Sequence, residues 1–221
     1  MSGSTEPSSS MKKNKERVHI EGIFPSPVYF AHRGSKLGKE EMKDVDDIIG
    51  EGLLSNSGNS FSSNTYIFDT RLHKLRKFCE RHIAIYVKEI INPKNELDFY
   101  ITQSWLNVNK PGESHHKHCH PNSLISGVFY VSSGRDDKID FYDPNSSTSV
   151  ISVEVAEFNL WNSEGWFFNV ASNDLILFPS WLQHSVKKNE KASTDRISIS
   201  FNVFPKGILG GKEKLTELII P

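Results

Sequence analysis

The stretch Arg196-Ile197-Ser198-Ile199-Ser200-Phe201-Asn202-Val203-Phe204 decides the fold. Successive side chains of an extended chain point to opposite sides, so Ile197, Ile199, Phe201 and Val203 share one face, and Arg196, Ser198, Ser200 and Asn202 share the other. The apolar face asks for a core. The polar face has two readings: a wetted sheet surface, or the wall of a cavity that holds an anionic ligand with Arg196 as its carboxylate clamp.

Working outward, the chain from Phe99 onward is a series of short runs rich in β-branched and aromatic residues. Turn clusters at Ser132-Ser133-Gly134, Asp143-Pro144-Asn145 and Ser172-Asn173-Asp174 punctuate it. The spacing predicts strands over Phe99–Val108, Leu124–Val131, Lys138–Tyr142, Val150–Val155, Trp166–Val170, Asp174–Phe178, Gln183–Lys187 and Arg196–Phe204. Strands in this number without helices between them imply a mainly β domain, a jelly roll or a barrel. The N-terminal part follows a different period. Met42, Val45, Ile48 and Ile49 lie at helical spacing between Lys39 and Leu54, with a stop near Gly52. A second helix, opened by Asp69 as its cap, carries Leu72, Leu75, Cys79, Ile83, Tyr86 and Ile90 on one stripe and ends before Asn92-Pro93. The chain thus divides into a flexible tail over residues 1–18, a helical support region over 19–96, a jelly-roll core over 97–206 and a C-terminal extension over 207–221.

Composition narrows the function. A chain of 221 residues makes one domain or a domain with an appendage. Its 26 basic and 27 acidic side chains leave a formal charge of −1, without the basic excess that draws proteins to nucleic acid or anionic lipid. The longest apolar runs, such as Ile83 to Val87 and Leu175 to Phe178, fall far short of the roughly 20 residues that cross a bilayer. Two cysteines, Cys79 and Cys119, cannot build a disulfide framework, and the polar N-terminus lacks the apolar core of a secretory signal. A reducing, cytoplasmic setting is expected, with no membrane partner.

The chemistry is concentrated in Gly112-Glu113-Ser114-His115-His116-Lys117-His118-Cys119-His120-Pro121. In an extended chain His116, His118 and His120 project from one face in steps of about 7 Å, so two neighbours can reach one metal ion. Pro121 pushes His120 into the extended region, which favours it as the far end of the pair, although His116 with His118 is a second choice. Imidazole suits iron, copper, nickel and zinc alike. His184 is the natural third ligand, because the buried run Leu175-Ile176-Leu177-Phe178-Pro179 returns the chain beside the first strand. Arg196, 12 residues further on, is expected at the end of a hairpin that returns beside His184. His19, His32, His73 and His82 have ordinary structural readings, and Cys119 is read as packing.

The region from Ser104-Trp105-Leu106-Asn107 to Phe201-Asn202 resembles the iron(II) and 2-oxoglutarate-dependent oxygenases, most closely a group of small oxygenases of that superfamily. The resemblance is carried by His118-Cys119-His120-Pro121-Asn122-Ser123 with the following Leu124–Val131. Leu177-Phe178-Pro179-Ser180-Trp181 with His184, and Arg196-Ile197-Ser198 with Phe201-Asn202, carry the rest. It implies a double-stranded β-helix, the cupin-like jelly roll, with supporting N-terminal helices. It further implies Fe(II) held by His118, His120 and His184, and 2-oxoglutarate as co-substrate, its distal carboxylate paired with Arg196, Ser198 and Tyr130. Most of the superfamily has a carboxylate where this chain has His120. An imidazole there leaves one more positive charge at the metal and raises its reduction potential.

The implied activity is a dioxygenase, a hydroxylase that couples oxidative decarboxylation of 2-oxoglutarate to C–H oxidation with O2. Its substrate is a small molecule or a peptidyl side chain. Trp105, Phe141 and Trp181 are candidates for excluding water, and the segments 134–138, 145–149 and 158–161 for lining the substrate groove. Two other classes fit the same residues: a three-histidine cupin-type enzyme that uses no 2-oxoglutarate, and a jelly roll that binds metal or ligand without turnover.

Overall fold

The computed structural model describes residues 18–146, 151 and 153–221. The tail expected over 1–18 lies outside the described residues except for Val18, as do parts of the 145–149 segment and of the expected strand Val150–Val155. The described residues of that last stretch are not in a strand.

Two antiparallel sheets form a sandwich. The larger contains β1 (Tyr29–His32), β2 (Leu53–Ser55), β3 (Ser60–Ser62), β4 (Leu97–Asn109), β6 (Ile125–Ser132), β9 (Asp174–Pro179) and β11 (Arg196–Leu209), in the order β1-β9-β6-β11-β4-β3-β2, with β12 (Leu218–Ile220) paired to β11. The smaller has the order β5-β10-β7-β8, built from β5 (His115–His118), β7 (Lys138–Tyr142), β8 (Gly165–Asn169) and β10 (His184–Val186). This is the jelly roll that the strand pattern predicts. The N-terminal region does more than supply helices, since β1 and the β2–β3 hairpin extend both edges of the larger sheet.

The alternation along β11 sorts the interior. Ile199, Phe201 and Val203 join Ile125 and Phe129 of β6, Leu175 and Leu177 of β9 and the helical side chains in one core on the outer side of the larger sheet. The alternate residues of β6 and β9, namely Val128, Tyr130, Ile176 and Phe178, turn toward the smaller sheet and meet Ile139 and Phe141 in a second core. Phe141 and Phe178 meet edge to face with ring centroids 5.0 Å apart, a favoured aromatic geometry.

The helices cover the first core. α1 (Lys39–Gly50) buries Val45 and Ile48, and α3 (His73–Tyr86) buries Leu75, Phe78, Cys79, Ile83 and Tyr86. Asp69 does not cap α3. It lies inside a separate short helix, α2 (Ile67–Thr70), and accepts a hydrogen bond from Arg76 instead. Leu72 adopts a left-handed conformation at the start of α3, and its amide donates to the Asp44 carboxylate of α1 at 2.9 Å. A cap from another helix is invisible to a local sequence pattern. α3 passes into a π turn over Val87–Ile91 and stops at Asn92, which is left-handed.

Gly127 marks the tightest approach in the first core. A Cβ there would lie 2.1 Å from the Phe201 ring on the neighbouring strand. Gly127→Ala should therefore force a shift of β6 against β11 and destabilise the protein by about 1–3 kcal/mol through overpacking. Urea denaturation followed by tryptophan fluorescence reads this directly, and an unchanged midpoint would mean that the ring has room to move.

Candidate metal centre and anion pocket

Two strands of the smaller sheet bring the first pair of imidazoles together. His184 of β10 is the cross-strand partner of His118 at the end of β5, and their ring centroids are 4.3 Å apart. His120 lies beyond the strand, where the chain turns. Its amide donates to the Ser180 carbonyl at 2.9 Å, its ring stacks on Trp105 at 5.8 Å, and Asn122 just after it is left-handed. These contacts swing His120 inward until its Nε2 is 3.3 Å from Nε2 of His184. One ligand atom from each of His118, His120 and His184 lies within 4.8 Å of the others.

Two rings are oriented from behind. Nδ1 of His118 donates to the His116 carbonyl at 2.7 Å, and Nδ1 of His184 donates to the Leu182 carbonyl at 3.0 Å. Each Nε2 therefore keeps its lone pair for a ligand, the arrangement by which metal-binding histidines are aimed. Burial, reinforced by His118 and His120, drives the His184 pKa down to about 2. Burial and His118 take His120 down to about 4, and burial also lowers His118. All three imidazoles are neutral at pH 7, as metal ligation requires.

Arg196 reaches the same cavity from the opposite sheet. It does not sit on a hairpin beside His184: β10 pairs with β5 and β7, while β11 runs between β4 and β6 of the larger sheet. Both residues line one pocket, together with Trp105, Asn107, Tyr130 and Ser198. The strand's polar face is thus a cavity wall rather than a wetted surface, with Arg196, Ser198 and Ser200 all buried.

The charge in this cavity lacks a counterpart. Arg196 donates from one terminal nitrogen to the Lys138 carbonyl at 3.1 Å and stands 5.3 Å from the Tyr130 ring centre. Among the described residues no carboxylate is within ion-pair distance of it. Its Nε, the Tyr130 hydroxyl, Asn107 Oδ1 and Asn109 Nδ2 are buried without hydrogen-bond partners. Burial pushes the Tyr130 phenol up to about 12 against the pull of Arg196, so it stays a donor. Unpaired buried polar groups cost free energy; an anionic ligand with carboxylate geometry would satisfy the donors among them, Arg196 Nε, the Tyr130 hydroxyl and Asn109 Nδ2, while Asn107 Oδ1 is an acceptor. The residues present fit both a first-row metal ion and a dicarboxylate beside it.

Other expected residues fall elsewhere. His116 is exposed and outside the converging set, whereas His115 lines the pocket wall. The periodicity argument missed His115 because the β5–β10 register is irregular: His118 pairs with His184 and His115 with Val186, three steps against two, which breaks the alternation. Cys119 is exposed, not packed. Phe141 is buried 6.2 Å from His184, but Trp181 is 53% exposed and shields nothing. Of the histidines expected to be structural, His82 meets the Tyr29 hydroxyl and His32 pairs with Asp174.

Comparison with known proteins supplies the remaining context. Residues 103–202 match a family described as "Putative 2OG-Fe(II) oxygenase". No curated protein sequence matches the chain. Many solved structures share the fold, among them the following three. An oxidoreductase of the 2OG-Fe(II) oxygenase family from Burkholderia pseudomallei has a TM-score of 0.53 at 10% identity, covering 80% of this chain and 83% of its own. HygX from Streptomyces hygroscopicus, solved with nickel, 2-oxoglutarate and hygromycin B, has a TM-score of 0.54 at 10% identity, with coverage of 80% and 82%. A prolyl hydroxylase from Trichoplax adhaerens, in complex with a peptide fragment of hypoxia inducible factor, has a TM-score of 0.52 at 16% identity, with coverage of 79% and 83%. Over residues 103–202 the chain is thus similar to the 2OG-Fe(II) oxygenases, and it shares the jelly-roll fold of these three structures.

Proposed function

We propose that this protein is an Fe(II)- and 2-oxoglutarate-dependent dioxygenase that hydroxylates its substrate. In this reading His118, His120 and His184 hold the iron, and Arg196, Ser198 and Tyr130 hold the distal carboxylate of 2-oxoglutarate. The observation that supports it most is the buried Arg196, without a carboxylate partner among the described residues, facing the same cavity as three neutral imidazoles. When bound, iron and 2-oxoglutarate supply the oxygen activation, with 2-oxoglutarate leaving as succinate and carbon dioxide while a C–H bond is oxidised.

The protein's own contribution is position and dryness. Arg196 offers its remaining donors to one carboxylate while the Lys138 carbonyl keeps the guanidinium in plane. The Tyr130 hydroxyl, held protonated, donates to the same group, and Ser198 lies across the strand pair from Tyr130. The ring of Trp105 over His120 and the Phe141–Phe178 pair beside His184 keep water from the back of the centre.

For the substrate, the segment between β7 and β8 exposes Phe158, Leu160 and Trp161, apolar surface that would suit a small molecule or a peptide. A small molecule and a peptide both occur bound to structural neighbours, as hygromycin B and as a peptide fragment. We take 97–206 as the catalytic core, supported by 19–96 and extended by 207–221. No described helix is long and apolar enough to cross a membrane. The free thiol of Cys119 on the surface supports a reducing cytoplasm as the setting. The all-imidazole donor set also favours a second reading, a three-histidine enzyme that uses no 2-oxoglutarate, in which Arg196 would bind the substrate's own carboxylate.

Incubation with Fe(II), ascorbate and 2-oxoglutarate should yield succinate, and His184→Ala should abolish it. Arg196→Ala should weaken 2-oxoglutarate binding by about 30-fold or more, the lower end for removing one partner of a buried charge pair. Calorimetry showing metal binding but no 2-oxoglutarate binding in the wild type would select the second reading. A pH effect follows from the same imidazoles. Each binds its proton less tightly in the folded chain than in the unfolded one, where the ordinary value is about 6.5. Acid therefore loads the unfolded state first, and this contribution to stability, complete above about pH 6.5, is lost as pH falls below it. The urea midpoint of the metal-free protein should be lower at pH 5 than at pH 7, and the gap should narrow in His184→Asn. Equal gaps in the two proteins would exclude His184 as a source of the effect.

A further inference from the structure

A second group of imidazoles adjoins the first. His115, His116 and His118 each bring one ligand atom within 4.8 Å of the others, with His116 exposed and the other two half-buried. Their ring centroids are 4.4 to 5.2 Å apart. The Asn56 amide lies 3.3 Å from Nε2 of His115, a long contact that an ion at that nitrogen would replace. The exposed ring of His116 has room to turn onto the edge shared by the stacked rings of His115 and His118.

His118 belongs to both groups. Its Nδ1 is occupied by the His116 carbonyl at 2.7 Å, so only Nε2 has a lone pair to give. One lone pair serves one ion at a time.

We propose that His115, His116 and His118 form a second metal site that takes Zn2+ or Cu2+ and, by occupying His118, excludes metal from the His118–His120–His184 set. The inhibitory consequence rests on the reading of His118 as a ligand of the oxygenase iron; the binding itself does not. The preference follows from the donors. An all-imidazole site binds Cu2+ and Zn2+ more tightly than Fe2+ in the general order of divalent ions, and the exposed His116 gives such ions direct access. An iron enzyme with this arrangement loses one of its three ligands whenever a tighter-binding ion arrives at the outer site. The outer histidines would thereby make activity sensitive to free zinc.

The test uses the full, tag-free chain and Zn2+ in competition with a chromophoric chelator. His184→Ala and His120→Ala each break the inner set and leave the outer one whole. Both should still bind one Zn2+ per chain, and adding His116→Ala to either should weaken that binding at least tenfold. Circular dichroism spectra of the variants are compared with the wild type, and two independent inner variants guard against one that misfolds. The wild type should bind one Zn2+, not two. In the succinate assay with saturating Fe(II), the half-inhibitory Zn2+ concentration should rise at least tenfold in His116→Ala, whose zinc-free rate should match the wild type. Binding in His184→Ala and His120→Ala that is indifferent to His116, no binding in either, or two ions together on the wild type would overturn the proposal. A wild type that makes no succinate at all would instead count against the oxygenase reading, and the zinc titrations would stand apart from it.

Discussion

Everything in this structure depends on the period of one central strand. β11 is paired on both sides, to β4 and β6, and its two faces have unrelated duties. Ile199, Phe201 and Val203 face the helix-covered core, while Arg196, Ser198 and Ser200 face the cavity. A slip of one residue would bury a guanidinium among leucines and present isoleucine to the ligand site, so the register is strongly specified. The register also decides what lies across from what: Arg196 opposite Asn109, and Ser198 opposite both Asn107 and Tyr130.

The second organising fact is the sign of the charge in the cavity. Imidazoles and a guanidinium converge there, and among the described residues no carboxylate lines the pocket. Folding alone does not favour this: the arginine Nε and the Tyr130 hydroxyl are buried without partners, and the imidazoles are held neutral by burial. The cost of such groups is recovered when a cation sits among the imidazoles and an anion sits on the arginine. In the proposed reading site and ligands are complementary in charge, and ligand binding should stabilise the fold.

The two sheets supply the two halves of the site. His118 and His184 come from facing strands of the smaller sheet, and Arg196 from the larger one. The sandwich holds them across a gap, so each keeps its own backbone partner: the His116 and Leu182 carbonyls for two of the rings, the Lys138 carbonyl for the guanidinium. The same backbone contact that aims His118 leaves its ring a single free lone pair, on Nε2.

Local pattern was enough to determine the mainly β core, seven of its strands to within a few residues, the amphipathic helices α1 and α3 and the polar face of β11, because period and turn chemistry act over a few residues. The residue pattern singled out His184 and Arg196, and the family resemblance narrowed the neighbouring histidine pair to His118 and His120. Tertiary structure alone decided the rest. That Arg196 and His184 lie on opposite sheets rather than on one hairpin, that Asp44 rather than Asp69 serves the start of α3, that the N-terminal region supplies edge strands, and that His115 rather than His116 faces the pocket all follow from contacts between segments far apart in the chain. Such contacts are set by which surfaces can be buried together, and no short window of sequence contains both surfaces.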